Sequence, residues 1–186
     1  MDAIEIFFVF YGALLALSVA KILSGVTRLA RHRGRIGWLT PLLILLLLFD
    51  LASFVNSAWR ELGAADAGMR LVVACLGAAS AYYVAGSMVV PERLAEGDDL
   101  DDHYLATKRF TVGGLLVANL LGSQLVQMMV RGLPDFLAAR WNGFSGVMNL
   151  VFYGLLATLL LIRSRAPSIV MLATLNAIFV LVLLVF

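Results

Sequence analysis

The sequence predicts an all-α, polytopic integral membrane protein with six transmembrane helices in one bundle. Hydrophobic residues make up 62% of the 186 residues and charged residues only 14%, and the mean hydropathy is +0.95. A soluble domain is nearer one quarter charged and under half apolar, so this chain has too little polar surface to cover a soluble fold. The apolar runs are long and continuous, which favours helices over the short alternating strands of a membrane barrel.

Six apolar runs are long enough to cross a bilayer, which takes about 20 helical residues. We predict spans over residues 5–28, 38–59, 70–90, 109–130, 143–162 and 168–186. The connections between them are short, so residues 1–186 form a single membrane domain. Between the fourth and fifth spans, Pro134 followed by the apolar Phe136 and Leu137 predicts a short helix on the membrane surface.

Basic residues in the connections predict the topology, because cytoplasmic loops carry an excess of lysine and arginine. One side carries nine basic residues, Arg28, Arg31, Arg33, Arg35, Arg93, Lys108, Arg109, Arg163 and Arg165. The other side carries four, Arg60, Arg70, Arg131 and Arg140. We therefore expect both termini outside (N-out/C-out). Arginine outnumbers lysine twelve to two, which is typical of GC-rich bacterial genomes and favours a bacterial inner membrane.

Small residues recur every fourth position in three of the predicted helices, which places each set on one helical face. The sets are Gly12, Ala16, Ala20 and Ser24; Gly77, Ala81 and Ala85; and Gly114, Ala118 and Gly122. Such faces allow membrane helices to approach closely. The pattern leaves open whether they join helices of one chain or copies in a homo-oligomer.

Asp50 interrupts the apolar run LLILLLLFDLASFVNSAW, and ionisable residues inside membrane spans are rare and often functional. Counting 1.5 Å per residue from the inner ends puts Asp50 about 18 Å deep and Lys21 about 10 Å deep. The same count gives similar depths to three asparagines, and two serines extend the polar faces: Asn119, Asn149 and Asn176, with Ser53 and Ser123. We predict that these residues form one polar layer near the membrane centre.

Two arrangements of Asp50 stay open at this point. In one, Asp50 pairs with Lys21, whose flexible stem lets its ammonium group seek a partner. In the other, no cation lies beside Asp50, and burial favours its neutral, protonated form. The first arrangement would be a lock or gate, and the second a proton or cation site.

Two charged clusters lie in the predicted cytoplasmic connections, RLARHRGR (28–35) and PERLAEGDDLDDHYLATKR (91–109). Topology setting and contact with anionic headgroups account for the arginines. A second interpretation is that the two clusters pair with each other as a lid, or bind a protein partner. The residues involved would be Arg28, Arg31, Arg33, Arg35, Asp98, Asp99, Asp101 and Asp102. A divalent-cation site in the acidic run is conceivable, but the spacing does not match an EF-hand, and we predict no metal site.

The sequence predicts no cofactor, no nucleic-acid binding and no catalytic constellation. The segment GFSG (143–146) resembles the serine motif of rhomboid intramembrane proteases, but no later span contains the histidine that would activate Ser145. Two functions remain. The first is a small channel or transporter for a cation, a proton or a small polar solute. The second is a non-catalytic membrane scaffold whose charged loops bind a cytoplasmic protein.

Overall fold

A computed structural model describes residues 3–32, 36–62, 68–93 and 98–185. Its elements are α1 (Ala3–Arg31), α2 (Leu39–Leu62), α3 (Met69–Met88), α4 (Leu100–Asn119), a π-helical segment (Leu120–Val126), α5 (Gln127–Arg131), α6 (Leu133–Arg140), α7 (Gly143–Leu161) and α8 (Arg165–Val185). The described residues contain no strand, and the all-helical prediction is confirmed for them.

Five helices are long and apolar enough to cross a membrane, which indicates a multi-pass integral membrane protein. They are Val9–Arg31, Leu39–Ala58, Met69–Met88, Leu100–Arg131 and Gly143–Leu161. The fourth is one continuous rod that comprises α4, the π-helical segment and α5. Within the described residues, the apolar part of α8, Arg165–Leu181, is shorter.

The helices form two layers around an apolar core. One layer runs α1, α3, α4 and α7, in which α3 packs against α1 on one side and α4 on the other. The other layer is the pair α2 and α8, and α2 contacts α1, α3 and α4. Of the five long apolar helices, α2 is the most buried and α7 the least. A buried polar residue on α2 can therefore contact several helices at once.

Small residues join α3 to α4 within this chain, as one of the two sequence interpretations predicted. A Cβ added at Gly114 would lie 3.0 Å from the carbonyl oxygen of Ala81 and 3.1 Å from Ala85 Cβ. The small face of α1 differs, because Gly12 has no atom of another residue within 4 Å of such a Cβ and Ala16 is exposed. Gly12 and Ala16 therefore point away from the bundle.

The rod begins nine residues before the predicted span at 109. Leu100–Lys108 is helical, with Asp99 as the N-cap whose side chain accepts a bond from the Asp101 amide.

The predicted surface helix is present as α6, which begins with Pro134 in its first turn and buries Phe136. At one end of the bundle α1, α3 and α7 end and α2, α4 and α8 begin. We call this the basic end, because Arg28, Arg163 and Arg165 lie there.

Candidate functional site

Asp50 lies at the junction of α2, α3 and α4, and only 4% of its surface is exposed. Its Oδ2 atom accepts a hydrogen bond from the Tyr82 hydroxyl at 2.6 Å and another from Asn119 Nδ2 at 2.7 Å. Among the residues that the structure describes, both partners of this carboxyl group are therefore neutral. Three helices that are distant in sequence converge on one oxygen atom.

Asn119 is held in place by further bonds. Its Nδ2 atom also donates to the carbonyl oxygen of Leu115 at 3.1 Å, and its Oδ1 accepts from Ser123 Oγ at 3.4 Å. The amide nitrogen therefore donates to both Asp50 and Leu115, while the amide oxygen accepts from Ser123. Since the side chain is oriented from both ends, the Asp50 bond keeps a fixed direction.

The π-helical segment begins at Leu120, directly after Asn119, and contains Ser123. A π turn carries one more residue than an α turn, and such segments inside α-helices are frequent at functional sites. Here it redirects the face of the rod just beyond the Asp50 contact. Asn119 and Ser123 thus lie where the helix geometry changes.

Aromatic side chains enclose the site on the side away from the basic end. The Phe54 ring lies 5.2 Å from the Tyr82 ring and 6.1 Å from the Tyr11 ring, measured between centroids. A Cβ at Gly122 would overlap the Phe54 ring, so Gly122 provides the space that the ring fills. A cavity of about 10 Å³ remains beside Phe54, Gly122 and Gln127, which is near the minimum that holds one water molecule.

A second polar cluster extends from the rod towards α6 and α7. Gln124 Nε2 donates to the Tyr153 hydroxyl at 2.7 Å, and Trp141 Nε1 donates to Gln124 Oε1 at 3.2 Å. Arg140 donates to the Ser123 carbonyl oxygen at 3.4 Å. Ser123 therefore touches both the Asp50 site and this cluster, and polar groups run from Asp50 to the α6 side of the bundle.

The structure brings Asp50, Asn119 and Ser123 together and places the other candidates elsewhere. Asn176 on α8 donates to the carbonyl oxygens of Leu42 and Leu172 at 2.9 and 2.8 Å. Asn149 donates to the Arg140 carbonyl oxygen at 2.7 Å. Ser53 is exposed, whereas the prediction put it on the buried face with Asp50. The polar layer is thus several separate contacts, of which the Asp50 junction is one.

Lys21 lies apart from Asp50. It lines a groove of about 500 Å³ between α1 and α3, together with Ser24, Ser80 and Tyr83. Asp50 instead accepts its bonds from Tyr82 and Asn119, which are both buried. Of the two arrangements left open by the sequence, the described contacts match the one without a cation beside Asp50.

The acidic residues at the start of α4 organise the basic end. Asp101 Oδ1 accepts a bond from the Leu39 amide at 3.2 Å and so caps α2, while Thr40 Oγ1 donates to the Leu100 carbonyl oxygen at 3.2 Å. Arg165 bridges Asp99 at 3.0 Å and Asp102 at 2.5 Å. Among the described residues, no group of three or more His, Cys, Asp and Glu side chains could hold a metal ion.

The structure describes only some of the residues in the two charged clusters that were predicted to pair. Arg33 and Arg35 lie outside them. Arg28 is half-buried and donates to Ser24 Oγ at 3.4 Å, and Arg31 and Asp98 are exposed. A lid or partner contact formed by these residues stays a prediction.

Sequence reasoning missed Tyr82, Gly122 and Arg165 as parts of these sites. Tyr82 lies in an apolar run, where a tyrosine is ordinary, and only the fold shows that its hydroxyl reaches Asp50. Gly122 was assigned to helix packing, whereas its neighbour is the Phe54 ring. Arg165 was counted only for topology, although the acidic run upstream was a signal that a cation would lie nearby.

Replacing Asn119 by leucine is expected to lower the free energy of unfolding by roughly 2–3 kcal/mol, because a buried carboxylate loses one of its two donors. The measurement is graded unfolding of the purified protein in detergent by SDS. The same substitution in an Asp50→Asn background is expected to cost less, since the acceptor there is neutral. Equal costs in both backgrounds would show that Asn119 contributes packing rather than a bond to a charge.

Comparisons with family models, with curated proteins and with solved structures find no match for this chain.

Proposed function

We propose that this protein is a small membrane transporter in which Asp50 takes up and releases a proton. The observation that carries the proposal is the bonding of one carboxyl oxygen, because both donors, Tyr82 and Asn119, bond Oδ2. A proton can therefore bind at Oδ1 and leave again without breaking either bond. The charged form keeps two donors, and the neutral form keeps the same geometry.

The surroundings of Asp50 favour a proton over a hydrated metal cation. The adjoining cavity of about 10 Å³ has room for about one water molecule, whereas hard cations take several oxygen ligands. Asp50 is 4% exposed, which suits the closed state of a carrier better than an open channel. The π-helical segment beside Asn119 is the element whose rearrangement would open the site towards Ser123 and Arg140.

The proposal includes a sixth span and an orientation. α8 (Arg165–Val185) has 21 residues, enough for a helix to cross a bilayer. With six spans, the arginine excess at the basic end supports a cytoplasmic location for that end, with both termini outside. A bacterial inner membrane and a homo-oligomeric assembly belong to the same proposal, and the transported ion is a proton.

Proteoliposomes test the proposal directly. With a potassium gradient and valinomycin setting a membrane potential, wild-type protein is expected to acidify the lumen faster than protein-free liposomes do, as reported by an enclosed pH-sensitive dye. Asp135→Asn protein, which loses an exposed carboxylate in the first turn of α6, should match the wild type. A wild-type rate equal to that of protein-free liposomes would reject proton transport.

The second candidate is a non-catalytic scaffold, and the buried, hydrogen-bonded setting of Asp50 favours it. In that function the Asp50 bonds fix the packing of α2, α3 and α4, and the charged basic end binds a cytoplasmic protein. Absence of flux in the liposome assay, together with a stably folded protein, would leave this function as the better one.

A further inference from the structure

A groove lies at the basic end between α4 and α7, with a volume of about 440 Å³. Three of its lining residues are cationic, namely Lys108, Arg109 and Arg163. Its walls also include Leu105, Leu160 and Leu161. Cationic side chains and an apolar wall thus share one opening.

Lys108 places a positive charge at a fixed position in the groove. It is buried, and its Nζ donates to the carbonyl oxygens of Leu159 and Ile162, where α7 ends. The last carbonyl groups of a helix have no partner within it, and a cation there is favourable. Lys108 therefore ties α4 to α7 and holds its charge at one place.

The groove lacks a counter-charge among the residues described. Its lining residues include no carboxylate, and Arg109 and Arg163 are exposed. The nearby acidic side chains Asp99 and Asp102 bond Arg165 instead. Arg109 on α4 and Arg163 in the α7–α8 connection, with Lys108 beneath them, thus favour an anion from outside the chain.

The position of the groove indicates which anion. α7 ends at Leu161, so the groove lies where a long apolar helix stops, at the depth of lipid headgroups. We propose that it binds an anionic phospholipid, with the phosphate between Arg109 and Arg163 and an acyl chain along Leu105 and Leu160. Basic pockets between transmembrane helices bind such headgroups.

The test is a thermal-unfolding titration of the purified protein in a neutral detergent. Added phosphatidylglycerol is expected to raise the unfolding temperature, whereas phosphatidylcholine and inorganic phosphate are not. The double variant Arg109→Gln/Arg163→Gln should bind phosphatidylglycerol roughly thirtyfold more weakly, since each basic residue near a headgroup contributes about fivefold. Lys108 is kept, because it also joins two helices.

The matched control is Arg70→Gln/Arg93→Gln, which removes the same charge from two exposed positions outside the groove. It should keep the wild-type affinity. Equal weakening in both double variants would overturn the proposal, because the effect would then be general surface charge. An equal rise with inorganic phosphate would identify a free-anion site, and an equal rise with phosphatidylcholine would identify an acyl-chain site; either result also overturns it.

Discussion

Proteoliposomes that contain Asp50→Asn protein are expected to acidify no faster than protein-free liposomes. Asparagine has nearly the same shape as aspartic acid, and its amide oxygen can accept the bonds that Tyr82 and Asn119 donate to Oδ2. It cannot bind and release a proton near neutral pH. The substitution therefore removes the exchangeable proton while keeping the junction of α2, α3 and α4.

The unfolding temperature of the Asp50→Asn protein separates loss of transport from loss of fold. It should stay close to that of the wild type, because a neutral acceptor is easier to bury than a carboxylate. Asp135→Asn is again the control for removing a carboxylate. Wild-type flux in a normally folded Asp50→Asn protein would exclude Asp50 from the transport mechanism.

Gly122→Ala is expected to lower the free energy of unfolding by about 1–3 kcal/mol, the usual cost of overpacking. The new methyl group would overlap the Phe54 ring, which packs on Tyr82 and Tyr11. Either the Phe54 ring, which packs on Tyr82, or the rod, which carries Asn119, must shift, and both Tyr82 and Asn119 bond Asp50. Graded SDS unfolding measures the cost, and proton flux is expected to fall with it.

Two variants show whether the cost comes from this overlap. Gly154→Ala changes a helical glycine whose Cβ would meet nothing within 4 Å, and it should be neutral or slightly stabilising. Adding Phe54→Leu to Gly122→Ala should recover part of the lost stability, because the smaller side chain leaves room for the methyl group. Similar costs for Gly122→Ala and Gly154→Ala would contradict the steric explanation.

The length of each apolar run predicted the helix bounds well where the sequence changes abruptly from polar to apolar residues. The span predicted at 143–162 corresponds to α7 (Gly143–Leu161), and that at 38–59 to α2 (Leu39–Leu62). The start of α4 was missed because Leu100–Lys108 is rich in polar residues. These residues are helical because their polar groups find partners in other elements, as Asp101 does at the start of α2.

Depth along the membrane predicted the Asp50–Asn119 contact but not the rest of the polar layer. Depth fixes a level and leaves the direction of each side chain open. Ser53 follows Asp50 by three residues and is turned about 60° from it around the helix, which is enough to expose it. Asn176 is buried but faces the Leu42 carbonyl oxygen, about 12 Å along α2 from Asp50. Such directions depend on which helices become neighbours.

The capping of α2 by Asp101 also affects when α2 can be completed during synthesis of the chain. The Leu39 amide and the Asp101 carboxylate are 62 positions apart, and a ribosome makes the chain from its amino end. The first turn of α2 exposes amide groups that need partners, yet this acceptor does not exist until α3 and the start of α4 have been made. The basic end of α2 is therefore completed late in synthesis, when the fourth apolar helix arrives beside the second.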